Sequence, residues 1–350
     1  MTMTNGRPQG VRSLGRIGLW GAPSCGKTTY LAALNVAVNQ ATTDDLMIFG
    51  VDDSSTDFLV ENTTRLTRDR QFPPATDKGN QYSWVLRMET QVSERRRFGR
   101  QTMTTVPLEM NLDLMDEPGR VFGDIPDEAS VGGSGGGRDL GFDDDDADSD
   151  GDAGAATTEE SVMDRLASCD GLLLLFDPTK EWKDGDAFNY FQGTLLRIAQ
   201  RRMAGQATVG GRLPQYVAVC ATKFDHPDVY RRAKNGGYRS FAMEDPSLFP
   251  RVPDELAEKF FVDLVRQSER GHADLVANAL RRNFEPDRVR FFITSAIGFY
   301  KSRRASRFQE ADFMNTVRQQ GGDFQIRGAI HPINVVEPLI WLGQCLAAAR

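Results

Sequence analysis

The chain has little cysteine and little histidine: four and three residues among 350. The cysteines (Cys25, Cys169, Cys220, Cys345) are scattered, which excludes a disulfide framework. Three of them lie in or beside apolar runs, as reduced core thiols do, and Cys25 lies in a Gly-rich loop. A cytoplasmic location is therefore expected. His226, His272 and His331 show no spacing that suggests a metal site. No window reaches the roughly 18 apolar residues of a membrane-spanning helix. Residues 1–14 are polar and lack the apolar core of a signal peptide, so neither a membrane span nor secretion is expected.

Apolar residues make up 40% of the chain, enough for a full core, and the formal net charge is −7. That charge is uneven. Residues 123–160 hold thirteen acidic side chains and one arginine, a net of −12, so the remainder is about +5. One tract makes an otherwise mildly basic chain look acidic. No dense basic stripe interleaved with aromatics is present, and nucleic acid is not an expected partner. The aspartate run 143–152 lacks the closing Glu and pattern of a calcium loop and reads as a solvated tether.

Apolar periodicity predicts strands at 16–20, 82–88, 104–115, 171–176, 216–221 and 289–293. Helices are expected at 27–39, 57–68, 159–168, 186–203, 254–283 and 336–349. The strands at 82–88 and 104–115 are expected to pair as a hairpin around a charged turn at 91–100. Buried strands alternating with helices mean an α/β domain with a mostly parallel sheet. The expected organisation is a flexible N-terminus (1–14) and one domain (15–350) with insertions. These are an acidic, Gly-rich, disordered stretch at 123–158, an irregular one at 228–253, and a long loop at 299–333.

Gly21-Ala-Pro-Ser24-Cys25-Gly26-Lys27-Thr28 matches G-x-x-x-x-G-K-[ST] in full, between an apolar strand and a helix. Such a loop wraps phosphates with backbone N–H groups, helped by the helix N-terminus. Lys27 would neutralise charge on the β- and γ-phosphates, the Thr28 hydroxyl would ligate Mg²⁺, and Thr29 is placed for the α-phosphate. Further on, the second hairpin strand ends in Asp116-Glu117-Pro118-Gly119, a D-x-x-G. In GTPases that Asp holds Mg²⁺ through water and the Gly N–H senses the γ-phosphate. Asp116-Glu117 also resembles the Walker B of ATPases, in which Glu polarises water, so this motif leaves both readings open.

Thr222-Lys223-Phe224-Asp225 closes the strand at 216–221 as T-K-x-D. A carboxylate there accepts two hydrogen bonds from guanine, at N1–H and the 2-amino group. Adenine offers neither donor, and a buried carboxylate left unpaired is costly. Ser295-Ala296 follows the next strand, where backbone N–H would meet guanine O6. With these motifs in this order, the chain resembles the TRAFAC class of P-loop GTPases. It is further similar to bacterial double-GTPase-type domains, which share the G-K-T-T-Y-L-A opening seen at 26–32. The resemblance implies a three-layer P-loop NTPase fold. Its sheet would have six strands, one of them antiparallel, with helices on both faces.

A switch of this kind needs a Thr ahead of the second strand, and Thr76 after Phe72-Pro73-Pro74 stands there, with Thr63, Thr64 and Thr67 as rivals. Where the family often has Gln after D-x-x-G, this chain has Arg120, which cannot serve as a general base. Glu117 would orient water, or Arg120 would offset charge in the transition state; a surface salt bridge is the alternative for Arg120. The sequence thus points to a Mg²⁺-dependent GTP/GDP switch with slow intrinsic hydrolysis, completed by a protein partner. The alternatives are an ATPase using Asp116 and Glu117, and a nucleotide-binding scaffold without turnover.

Overall fold

The computed structural model describes residues 12–41, 46–74, 80–95, 101–116, 161–185, 187–205, 208, 210–243, 245–266 and 274–349. Next to the central strand of its sheet lies β5 (Gly171–Phe176), six consecutive buried residues. Such a run has no polar face, so it must lie between two apolar layers. On one side β5 pairs in parallel with β1 (Arg12–Gly21), and on the other with β6 (Tyr216–Ala221). Outward from β6 comes β9 (Val289–Ile293), also parallel. Outward from β1 comes β4 (Gln101–Asp116), parallel, then β3 (Asn80–Arg95), antiparallel, then β2 (Leu46–Gly50) at the edge.

The sheet therefore has seven strands rather than six, still with one running against the rest. The addition is β2, whose five-residue apolar run Leu-Met-Ile-Phe-Gly is too short for periodicity to separate strand from helix. The strand expected to end at residue 88 continues to Arg95, paired residue for residue with Gln101–Asp116. Residues 91–95 with their charges read as a turn, but cross-strand pairing accommodates them in the ladder.

Alternation along the strands sorts the core. Ile17, Leu19, Leu173, Leu175, Ala218 and Cys220 face one layer, which includes α1 (Lys27–Gln40), α2 (Asp53–Thr64) and α9 (Glu337–Ala348). Trp20, Leu172, Leu174, Phe176, Val217 and Val219 face the other. That layer holds α3 (161–168), α5 (Ala187–Ala204), α7 (Asp254–Val265) and α8 (Asp274–Asn283). Trp20 stacks on Phe191 of α5, ring centroids 5.3 Å apart. Under the first loop, the Tyr30 hydroxyl of α1 donates to the Val335 carbonyl at 2.5 Å, just ahead of α9.

Other differences from expectation are local. The helix expected at 254–283 is two helices. The helix expected at 57–68 starts at Asp53, where Asp52 accepts from the Ser55 N–H, and widens into a π-turn at Arg65–Asp69. Residues expected to be irregular at 228–253 include most of α6 (Pro227–Asn235) and the short strands β7 (Ser240–Phe241) and β8 (Pro250–Arg251). The long C-terminal loop holds a small hairpin, β10 (Thr316–Arg318) with β11 (Phe324–Ile326). A short helix, α4 (Pro178–Asp184), was not foreseen; Asp177 caps it and Pro178 opens it. The insertion expected at 123–158 and the flexible start at 1–11 lie outside the described residues.

Candidate functional site

All six parallel strands end on one edge of the sheet, and the sequence motifs gather there. Register fixes their neighbourhood: Gly21 lies opposite Leu175, Leu175 opposite Cys220, and Ala221 opposite Ile293. The phosphate-loop motif, the T-K-x-D motif and the S-A turn thus leave the sheet at one level. The first two are separated by a single strand, or about 10 Å.

The loop after β1 has the backbone its motif requires. Ser24 (φ 59°) and Gly26 (φ 97°) are left-handed, which turns successive N–H groups inward. Gly21 has no room for a side chain: a Cβ would come within 2.6 Å of the Leu175 carbonyl oxygen. Helix α1 begins directly at Lys27, with no side-chain cap and no acid in its first turn, so its N-terminal field is left for an anion. The Lys27 ammonium donates back to the Gly21 and Ala22 carbonyls at 3.0 and 3.4 Å. Thr28 and Thr29 are half-buried at the helix start. Cys25 is buried, and burial raises its thiol pKa, so it packs as a filler rather than offering a thiolate.

The base half is more heavily bonded. The Thr222 N–H and hydroxyl both donate to the Phe176 carbonyl, at 2.8 and 3.2 Å. Lys223 is left-handed (φ 60°), an uncommon state for a residue with a Cβ, and its carbonyl accepts from the His226 N–H. The Asp225 carboxylate accepts from the Ser295 hydroxyl at 2.5 Å. Ser295 in turn accepts from the Gly298 N–H at 2.8 Å and forms a two-way backbone bridge with Ile333. Burial pushes the Asp225 carboxyl above its usual range, and the Ser295 hydrogen bond opposes this only in part. Ala296 follows, half-buried. Gly298 (φ 64°) is obligatory, since a Cβ there would lie 1.9 Å from the His331 carbonyl oxygen. The long C-terminal loop thus folds back to set the S-A turn.

A connection absent from the motif reading joins the halves. Asp177, at the end of β5 with its side chain 2% exposed, forms an ion pair with Lys223. Three residues on, the Lys180 ammonium donates to the Pro23 carbonyl of the phosphate loop at 3.0 Å. Asp177 also caps α4: one carboxylate oxygen accepts from the Thr179 N–H and hydroxyl and the Lys180 N–H. The only sequence signal for the ion pair was an acid directly after a buried strand.

At the D-x-x-G motif, Asp116 is the last residue of β4. The β1–β4 register, with Leu19 opposite Leu114, carries Asp116 to the level of Gly21. Its side chain, like Thr76, Glu117, Gly119 and Arg120 as a whole, lies outside the described residues. The lead into Thr76 is described. Gln71 bridges to Gln325, the Arg70 carbonyl accepts from the Ile326 N–H, and Phe72 packs on the cluster of Leu66, Ile297, Ile326 and Ile330. Among the described residues, no group of three or more His, Cys, Asp or Glu is placed to hold a metal. No helix among them is long and apolar enough to cross a membrane.

A complete G-x-x-x-x-G-K-T loop links the central parallel strand to its helix at the carboxyl edge of a seven-stranded sheet. The fold is P-loop NTPase-like. No protein-family model matches the chain, and no curated protein does. Among solved structures it is similar to a crystal structure of Era in complex with MgGDPNP and nucleotides 1506-1542 of 16S ribosomal RNA, at 11% identity and a TM-score of 0.29. The match covers 82% of this chain and 52% of that one, so the chain spans about half the length of that structure. The guanine nucleotide and the RNA are Era's ligands. At so low a TM-score the likeness carries no argument about ligands here, and it gives no support to the expectation that nucleic acid is not a partner.

Proposed function

We propose that the chain is a guanine-nucleotide switch that binds GTP with Mg²⁺, hydrolyses it slowly and relies on a protein partner, activator or effector, to complete the site. One observation carries the reading: Asp225, held by Ser295, stands one strand away from the phosphate loop on the same edge of the sheet. A purine whose phosphates occupy the Gly21–Thr28 loop would meet that carboxylate. Its one short bond to Ser295 leaves acceptor positions for guanine N1–H and the 2-amino group. Lys27 and the first-turn N–H groups would hold phosphate. Thr28, with Asp116 through water and Thr76, would hold Mg²⁺, and the Gly119 N–H would sense the γ-phosphate. Bound Mg²⁺ would neutralise charge on the phosphates, while Glu117 or Arg120 would act at the attacking water. Arg120 in place of a glutamine underlies the expectation of slow turnover.

The ATPase reading requires an extra strand between the phosphate-loop strand and the Asp116 strand. β4 pairs with β1 directly, which weighs against it. Calorimetry of purified protein with Mg²⁺ and GTP, against Mg²⁺ and ATP, tests the proposal. Preference for GTP by at least about 100-fold, near 2.7 kcal/mol, is expected. Equal affinity, or preference for ATP, overturns it.

A further inference from the structure

We infer that Asp177 and Lys180 form a bracket that holds the base lysine and the phosphate loop in register, making both positioning residues for the nucleotide. The inference rests on the reading of Lys223 as a base-contacting residue.

Three features converge. Asp177 is almost fully buried, and its two oxygens divide their work: one caps α4, and the other pairs with the Lys223 ammonium. A buried carboxylate is costly unless compensated, so the pair fixes where that ammonium sits. Lys223 itself holds a left-handed backbone, a strained state that persists only where surrounding bonds over-determine it. Those bonds are the Asp177 pair, the Phe224 N–H to the Thr294 carbonyl at 3.0 Å, and the His226 N–H to the Lys223 carbonyl at 2.9 Å. Third, Lys180 reaches from the first turn of the same helix to the Pro23 carbonyl. That contact anchors the outer wall of a loop whose residues 24 and 26 are also left-handed. One short helix and its cap therefore touch both loops, Lys180 of the helix the phosphate loop and the capping Asp177 the base loop. A nucleotide spanning both meets a pre-set separation, and less of its binding energy is spent on ordering the protein.

The test is a double-mutant cycle read by calorimetry with MgGTP and MgGDP. Asp177→Asn keeps the helix cap, since Asn caps as well as Asp, and removes the ion pair. It is expected to weaken both nucleotides by the same factor, about tenfold, as loss of one charge-assisted contact implies. In a Lys223→Met background, Asp177→Asn is expected to add no further loss, because its partner is gone. Asp177→Asn binding as tightly as wild type overturns the inference, and so does a loss that multiplies fully with Lys223→Met. Should Asp177→Asn not fold, Lys180→Met carries the test: about threefold weaker binding of both nucleotides supports the bracket, and unchanged binding overturns it. Wild-type protein that binds neither nucleotide overturns the proposed function itself and the bracket with it. Normal wild-type binding with an inert Asp177→Asn overturns the bracket alone.

Discussion

The two halves of the sheet are built differently. In the half made of β1, β5, β6 and β9, apolar layers cover both faces, and every residue of β5 is buried. In the half made of β2, β3 and β4, one face is apolar and the other polar. The polar face carries Asp113 with Arg16 and Arg165, Ser83 donating to Asp113, and Arg87 with Glu109. The loops proposed to hold the base hang from the first half, and the residues proposed to sense the γ-phosphate follow the second. On that proposal the doubly covered half would present the part of the nucleotide that stays constant between di- and triphosphate, and the half-open one would carry the part that must respond.

Four predictions press on this contrast. The largest effect belongs to the doubly covered half: Leu173→Ala, at a fully buried position, should cost about 3–4 kcal/mol in urea unfolding through the cavity it leaves. A loss below about 1 kcal/mol would mean this half is no more tightly packed than the other. Next is Asp225→Asn, expected to weaken GTP about 100-fold and to admit xanthosine triphosphate, whose pattern at the 2-position is inverted. Unchanged GTP affinity would remove the base site.

The sign of the Asp225 shift adds a pH dependence. Its carboxyl is raised in the folded state, so the folded protein takes up that proton more readily than the unfolded chain. The cost of its charge is fully present above the raised pKa and relieved as pH falls through it. Guanine binding, which needs the carboxylate, should fade over the same window, above the usual Asp range. Asp225→Asn should accordingly melt a degree or two higher, by about 2 °C, without ligand. The smallest effect is at the edge: Phe49→Ser on β2, where Phe49 is 46% exposed, should change stability by no more than about 0.5 kcal/mol.

The same contrast governs what was legible in the sequence. The strands at 171–176, 216–221 and 289–293 agree with expectation to the residue; in the first two an almost unbroken buried run is uninterruptedly apolar, and in the third Phe291, Phe292 and Ile293 carry the signal past the exposed Arg290. The full extent of β3 and the existence of β2 were not legible. The sequence Gln91–Arg95, with one apolar residue, and a five-residue apolar stretch carry no distinctive period. In the site, the loop at 21–28 followed from a short motif whose residues touch neighbours close in the chain, whereas the hydrogen bond of Ser295 to Asp225, 70 residues away, was not read from the T-K-x-D and S-A motifs. The Asp177–Lys223 pair spans strand ends 46 residues apart, and the Lys180–Pro23 contact 157; no local pattern encodes either.

Helix α9 lies farther along the chain than every motif, yet Leu339, Leu342 and Leu346 form the floor beneath β1, β5 and β6, and the Val335 carbonyl receives the Tyr30 hydroxyl of the loop's own helix. Gly343 is pressed so near Met88 that a Cβ would approach its sulfur to 2.9 Å. A fragment cut just after Ser295-Ala296 would retain every recognisable nucleotide signature and lose the foundation on which the first of them stands. The smallest piece in which that loop keeps its footing is set by packing at the far end of the chain, not by where its signatures stop.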